Sequence, residues 1–432
     1  MNMLATAGNL GEQVRSDCHV SLELREKGGI EISLQSKVEG MFGNQIRAQI
    51  AEVLQQLGVG HARVVMQDTG ALPFVIAARL EAAVRQLKRT DHRCIPEPLP
   101  GLERENIPEY HRAKESPGKG QAQNSPGNSR EENSSLKNRE NRGRDRFRLS
   151  RLYLPGNTPS LMINAGIHHP DGIILDLEDS VAPEKKEEAR ILVRNALRQV
   201  DFYGAERMVR INQLPLGLKD IGEVVPHFVQ LLLIPKCEQP GEVQEVDETV
   251  RSVLRAAGQE KEVWLMPIIE SALGVEQAYQ IATASDRVVA LAIGLEDYTA
   301  DLGVRRTPGG EESFYARSRI VNACKAAGIQ PIDSVFSDVA DMEGLMETVK
   351  RSRALGFEGM GCIHPRQIRV IHEGYAPGIE EIDRARQIVE AFREAEENGL
   401  GVTTLGSKMI DPPVVKRAQQ TLRMAARFNK NL

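Results

Sequence analysis

Gly172-Ile173-Ile174-Leu175-Asp176-Leu177-Glu178-Asp179 is a short, unbroken apolar run that stops in acids. A strand buried on both faces reads this way, and the polar end marks where it leaves the core. The same grammar recurs at Arg151 to Leu154, Met208 to Ile211, Leu231 to Ile234, Val263 to Ile269, Val288 to Ile293, Pro331 to Val335 and Met360 to Ile363. Stretches of helical periodicity, such as Pro183 to Leu197 and Phe314 to Ala327, lie between them. Eight strands, each with room for a crossover helix, predict an α/β fold, a (β/α)8 TIM barrel with a C-terminal extension, over residues 147–432. An open doubly wound sheet is the alternative, but no strand runs into a GxGxxG turn.

Upstream of the barrel the composition changes. From His111 to Asp145 only Ala113, Ala122 and Leu136 are apolar among 35 residues. Such a segment cannot bury enough surface to offset the entropy of ordering it, so residues 96–146 are expected to be a flexible, disordered linker. Residues 1–95 read as a small α+β domain. Val20 to Leu24 and Ile30 to Leu34 alternate apolar and polar around Lys27-Gly28-Gly29, which predicts a hairpin. Val38, Met41, Phe42, Ile46, Ile50, Val53, Leu54 and Leu57 then recur at three and four, the stripe of a helix closed by Gly58. A strand at Ala62 to Met66, a turn at Asp68-Thr69-Gly70 and a helix over Pro73 to Lys88 complete it.

The whole chain of 432 residues is 41% hydrophobic, 27% charged and 4% aromatic, as expected of a soluble globular protein of more than one module. Its 55 basic and 60 acidic residues leave a net charge of -5, which disfavours nucleic acid as a partner. No apolar run approaches the roughly 20 residues that span a bilayer, and the N-terminus lacks the pattern of a secretory signal. Cys18, Cys94, Cys237, Cys324 and Cys362 form no CxxC pair and read as reduced thiols, so the expected location is cytoplasmic.

In a barrel of this kind functional residues sit at the carboxyl ends of the strands. Those ends carry Asp176, Glu178 and Asp179, then Arg210, Lys236, Glu270, and Glu296 with Asp297. Glu270 and Asp297 stand one βα unit apart. Two carboxylates at one height repel unless a cation or proton lies between them, and an oxygen-only pair favours Mg2+. The alternative is that each acid caps a helix or pairs with arginine. Arg210 closes an apolar strand, so it must face either an anionic substrate or a protein carboxylate such as Asp176 or Glu178. Asp411, in Gly406-Ser407-Lys408-Met409-Ile410-Asp411-Pro412-Pro413, either closes a barrel mouth or caps the segment Val414 to Leu422. His364, at the end of the eighth strand, either binds substrate or packs.

Six words occur in the order seen in the citrate lyase beta subunit: Leu152-Tyr153-Leu154-Pro155-Gly156-Asn157, Asp176-Leu177-Glu178-Asp179-Ser180-Val181, Val209-Arg210-Ile211-Asn212, Ile269-Glu270-Ser271, Gly294-Leu295-Glu296-Asp297-Tyr298 and Ile363-His364-Pro365. The barrel therefore resembles that family over about Arg148 to Leu422. The front domain resembles the gamma subunit, the acyl carrier protein of citrate lyase, in Val38-Glu39-Gly40-Met41-Phe42-Gly43 and Asp68-Thr69-Gly70-Ala71-Leu72. The resemblance implies a Mg2+-dependent carbon–carbon lyase that splits a citryl thioester into oxaloacetate and an acetyl thioester. It implies Glu270 and Asp297 as Mg2+ ligands, and Arg210, Glu270 and Glu296 as substrate contacts. Arg210 would also stabilise the oxyanion, and Asp411 would be a proton carrier delivered across a subunit interface. It further implies a citrate lyase alpha subunit as partner, a homo-oligomer (trimer or hexamer), and a phosphoribosyl-dephospho-CoA group on the carrier domain. Ser16 is the nearest attachment point, but it adjoins Asp17 directly, whereas the family keeps one residue between serine and aspartate. Arg148-Leu149-Ser150 departs from the two arginines usual before the serine. The alternative is a lyase of free citramalyl-CoA or malyl-CoA, with the front domain as a docking piece.

Overall fold

The computed structural model describes residues 4–88, 90–102 and 143–428. Much of the expected linker, residues 103–142, falls outside the described residues.

The front domain is a four-stranded sheet of β1 (Leu4–Ala7), β2 (Cys18–Leu24), β3 (Ile30–Ser36) and β4 (Ala62–Asp68) in the order β1-β2-β4-β3. The expected hairpin does not form. β4 lies between β2 and β3, antiparallel to the first and parallel to the second. The helix α1 (Glu39–Gln56) is the crossover that makes β3 and β4 parallel neighbours. Burial explains which strand takes the centre: Ala62, Val64 and Met66 of β4 are fully buried, whereas no residue of β3 is. Strand β1 has no counterpart in the sequence reading, because Leu-Ala-Thr-Ala carries almost no strand signal.

The second helix, α2 (Pro73–Leu87), is buried from Phe74 through Val84. One side covers its own sheet and the other lies on the barrel helix Lys186–Gln199. Its charged residues are paired within this seam. Arg79 donates to both oxygens of Asp17 at 3.0 and 2.9 Å, lies 3.4 Å from Glu188 and donates to the Asn157 carbonyl. Glu81 accepts from Arg194 of the barrel at 2.9 and 2.7 Å. The front domain is thus fastened by buried ion pairs, which are costly to break singly.

The barrel strands are β5 (Ser150–Pro155), β6 (Gly172–Asp176), β7 (Glu206–Arg210), β8 (Leu231–Ile234), β9 (Trp264–Ile269), β10 (Ala290–Ile293), β11 (Gln330–Ile332) and β12 (Met360–Cys362). All pair in parallel in chain order, and β12 returns to pair with β5. A parallel bridge between Asp333 and Met360 spans the remaining gap. Inward residues such as Ile174, Met208, Leu233, Met266 and Ile332 fill the lower barrel, while alternate residues such as Leu175, Val209 and Leu232 face the helices. Arg148 closes the floor by a two-pronged bond to Glu206 at 2.7 and 2.8 Å.

Beyond the barrel, helices Ile379–Glu397 and Pro412–Phe428 pack around a small hairpin, β13 (Thr403–Leu405) and β14 (Lys408–Ile410). Arg427, near the end of the last helix, pairs with Asp171 on the barrel floor and lies 4.6 Å over the Phe147 ring. Among the described residues no helix is long and apolar enough to cross a membrane. The five cysteines are free and buried.

The floor also carries a pH dependence. Burial, then the charges of Arg194, Arg198 and Lys261, push the His227 imidazole down to about 3. Unfolded histidine titrates near 6.5. Between those values the unfolded chain takes up a proton that the folded chain refuses. The stability this group contributes is complete above pH 6.5 and is lost as pH falls toward 3, on the order of 5 kcal/mol. Denaturant titrations from pH 7 to 4 should therefore show a shallower loss of stability in His227→Gln than in the parent.

Candidate active site

The carboxyl ends of the strands surround a cavity of about 490 Å3, within the range of small-molecule sites. Arg210 ends β7 and Asp176 ends β6, and the register places the two directly opposite. Arg210 donates Nε to Asp176 Oδ1 at 2.6 Å and Nη2 to Oδ2 at 2.7 Å. Its Nη1 lies 2.9 Å from Glu178. The guanidinium also rests 5.5 Å over the Tyr153 ring. Burial alone would lower the pKa of Arg210, but Asp176 more than reverses this and locks the charge on. Burial likewise works against the Asp176 carboxylate, and Arg210 holds it below its usual range. Asp176 additionally accepts the backbone N–H groups of Glu178 and Ser180. The protein carboxylate left open by sequence is therefore the partner of Arg210, which still lines the cavity.

Glu270 follows β9 and is 7% exposed. Its Oε2 accepts the Lys236 backbone N–H at 2.9 Å. Its Oε1 lies beside Gly294, where a Cβ would come within 2.3 Å. Burial pushes Glu270 up to about 7, against the backbone bond from Lys236 and the charge of Arg210. Among the described residues no side-chain cation pairs with it. Asp297, in the first turn of the helix Leu295–Asp301, is half-exposed and 3.9 Å from Lys236 Nζ. That ammonium also lies 3.4 Å from Glu178 and 3.6 Å from Asp179. Burial works against the Lys236 charge, and these three acids reverse it.

The mouth thus gathers five carboxylates, Asp176, Glu178, Asp179, Glu270 and Asp297, around Arg210 and Lys236, with Arg151 as a third cation lining the cavity. Such an imbalance favours a bound cation. Among the described residues no group of three or more His, Cys, Asp or Glu side chains is arranged as a metal site. The residues that fit are the pair Glu270 and Asp297, oxygen donors that suit an ion keeping water and substrate in its other positions. Gly294→Ala displaces Glu270 and is expected to lower any metal-dependent turnover roughly 10²-fold, with metal affinity measured alongside by calorimetry.

The other sequence candidates are placed as follows. Glu296 is exposed and accepts from Arg306 at 2.6 Å on the cavity rim. His364 accepts the Arg366 N–H at its Nδ1, just ahead of the helix Arg366–Tyr375. Asp411 accepts the Val414 N–H at 3.1 Å, and it is not among the residues lining the mouth of its own barrel. Ser16 sits in the β1–β2 loop with φ of 53°, and its N–H donates to Thr69. That loop touches the barrel: Asn9 donates to the Asn157 carbonyl, just past the carboxyl end of β5, and Lys185 donates to the Gly8 carbonyl. Asp17, beside Ser16, is buried and taken by Arg79.

Residues 149–365 match the HpcH/HpaI aldolase/citrate lyase family. The chain belongs to that family. Residues 5–87 match the malonate decarboxylase delta subunit (MdcD) family, an ACP type. The citrate lyase subunit beta of Haemophilus influenzae is 39% identical over 283 residues, 65% of this chain and 97% of that protein. The L-malyl-CoA/beta-methylmalyl-CoA lyase of Cereibacter sphaeroides is 33% identical over 297 residues, 64% of this chain and 93% of that one. Among solved structures, the Mycobacterium tuberculosis protein CitE in complex with magnesium, acetoacetate and coenzyme A superposes with a TM-score of 0.55. It is 30% identical, and the match covers 66% of this chain and 99% of that one.

Two residues of this HpcH/HpaI-type mouth went unread in the sequence. Tyr153 and Arg151 both point inward from β5 and both line the cavity. The signal for them was the period of two along Arg151-Leu152-Tyr153-Leu154, with the arginine on the same face as the tyrosine.

Proposed function

We propose that this protein is the beta-type component of a citrate lyase, a Mg2+-dependent carbon–carbon lyase that cleaves a citryl thioester into oxaloacetate and an acetyl thioester. The observation that carries this reading is the cluster of acids around Glu270 and Asp297, in which the carboxylates outnumber the cations, with the clamped guanidinium of Arg210 beside it. The likeness of the barrel to citrate lyase beta subunits at 38–39% identity supports the choice of substrate.

Glu270 and Asp297 would hold Mg2+, which when bound supplies Lewis acidity at the oxygen that becomes the keto group. Arg210, unable to swing because Asp176 grips its Nε–Nη2 edge while Glu178 faces Nη1, orients a substrate carboxylate and faces the developing negative charge. In the reaction the hydroxyl proton leaves, the carbon–carbon bond electrons pass to the thioester fragment, and that fragment takes a proton at carbon. Asp411 of a second copy is assigned the proton at that carbon, in keeping with its absence from the mouth of its own barrel. The front domain would present the thioester from a prosthetic arm on Ser16, and the bonds of its loop to Asn157 at the carboxyl end of β5 support delivery to the same barrel. A homo-oligomer working with an alpha subunit in the cytoplasm completes the reading.

A second reading, a lyase of free citramalyl-CoA or malyl-CoA, is favoured by the malyl-CoA lyase relatives and by Asp17, whose burial leaves no free acid beside Ser16. Purified protein assayed against citryl, citramalyl and malyl thioesters, with Mg2+ and with chelator, tests both. Preference for the citryl compound, lost on chelation, is expected. Metal-independent cleavage or preference for malyl-CoA would overturn the first reading. Intact-mass analysis decides separately whether Ser16 is loaded.

A further inference from the structure

Arg151 is a buried cation without a counter-ion among the described residues. It is 1% exposed and points into the barrel from β5, two residues below Tyr153. Its Nη1 contacts Met266 Sδ at 2.9 Å, and its Nε has no partner. Among the described residues no carboxylate pairs with it. Its electrostatic neighbours are Tyr153, Cys362 and Tyr375, neutral groups at physiological pH, and the like-charged Arg148. Burial accordingly pulls the pKa of Arg151 down. Every other arginine in or near the mouth is matched: Arg210 by Asp176, Arg306 by Glu296 and Arg317 by Asp333.

A guanidinium stripped of water and left unpaired carries a large desolvation cost, so an anionic ligand that reached it would be held strongly. The cavity shows where. Arg151 lines it together with Glu270 and Arg210, and at this level Ala292 and Gly361 add almost no side-chain bulk. Arg151, Glu270 and Asp297 thus line one and the same cavity.

We propose that Arg151 is a substrate-binding residue that receives the second carboxylate of a dicarboxylic keto acid at the floor of the mouth, and so selects citryl over citramalyl thioesters. This inference rests on the lyase reading above. The two substrates differ only in a carboxymethyl group against a methyl, and their keto products, oxaloacetate and pyruvate, differ in the same way. A fork that meets a carboxylate rewards the first, and an unpaired buried guanidinium penalises the second.

The test is equilibrium binding of oxaloacetate and of pyruvate, with and without Mg2+, to the full-length parent, Arg151→Met and Arg151→Lys. Cleavage of citryl-CoA and citramalyl-CoA is measured in parallel. Arg151→Met is expected to weaken oxaloacetate roughly 10- to 100-fold while leaving pyruvate within twofold, and to shift the cleavage ratio toward citramalyl by a similar factor. Arg151→Lys keeps the charge without the fork and should fall between. Because methionine removes an unpaired buried charge, Arg151→Met should melt no lower than the parent, and Arg151→Lys gives the same comparison if it does. Equal losses for both keto acids, or no loss for either, would overturn the assignment of Arg151. A parent protein that does not distinguish oxaloacetate from pyruvate would instead overturn the citryl reading.

Discussion

Glu270→Gln is expected to lower turnover by about 10³-fold or more and to weaken Mg2+ binding at least tenfold, while the protein melts at or above the parent temperature. The neutral amide keeps the shape of a side chain that is 7% exposed and can still accept the Lys236 N–H. It cannot supply the negative oxygen that a hard divalent ion requires. Losing the ion removes orientation and charge stabilisation together, each worth orders of magnitude in rate. The fold has little to lose, because burial already works against the charge of Glu270 and, among the described residues, no side-chain cation pairs with it. Calorimetric Mg2+ titration, steady-state assay and a melting curve on one preparation check all three parts. Unchanged metal affinity and rate in the variant would remove Glu270 from the site.

Arg79→Leu carries the largest expected effect on stability. The substitution leaves Asp17 buried without its cation and Glu188 with Lys185 alone, and removes the donor to the Asn157 carbonyl. Breaking a buried pair from one side costs about 3–5 kcal/mol. The loss should appear as earlier unfolding of the front domain, because the affected acids join α2 and the β1–β2 loop to the barrel. Adding Asp17→Asn to the variant should recover part of the loss, since the stranded charge is then gone. A single-variant loss below about 1 kcal/mol would mean that the seam is hydrated and weak.

The strand grammar that opened the reading was legible because it is local. Ile173-Ile174-Leu175 and Leu231-Leu232-Leu233 are buried on both faces in any parallel barrel, and their eight-fold recurrence left few alternatives. The site was legible at one remove, since acids and arginines that end such runs must gather at one mouth. The hairpin failed for the opposite reason. Alternation in Ile30 to Leu34 marks a strand with one covered face, and says nothing of which neighbour it pairs with.

By itself the sequence determined the number of barrel strands, the end at which chemistry sits, the family, and the pair Glu270 and Asp297 as the acids to inspect. Only the tertiary structure decided that β4 separates β2 from β3 and that Arg210 is clamped by Asp176, 34 residues away. It alone joined Glu81 to Arg194 across 113 residues, and left Arg151 facing Met266, 115 residues on, without a carboxylate. Strand period and burial depend on neighbours within a few residues, whereas the partner of a buried charge depends on which distant residues the closed barrel brings within about 3 Å.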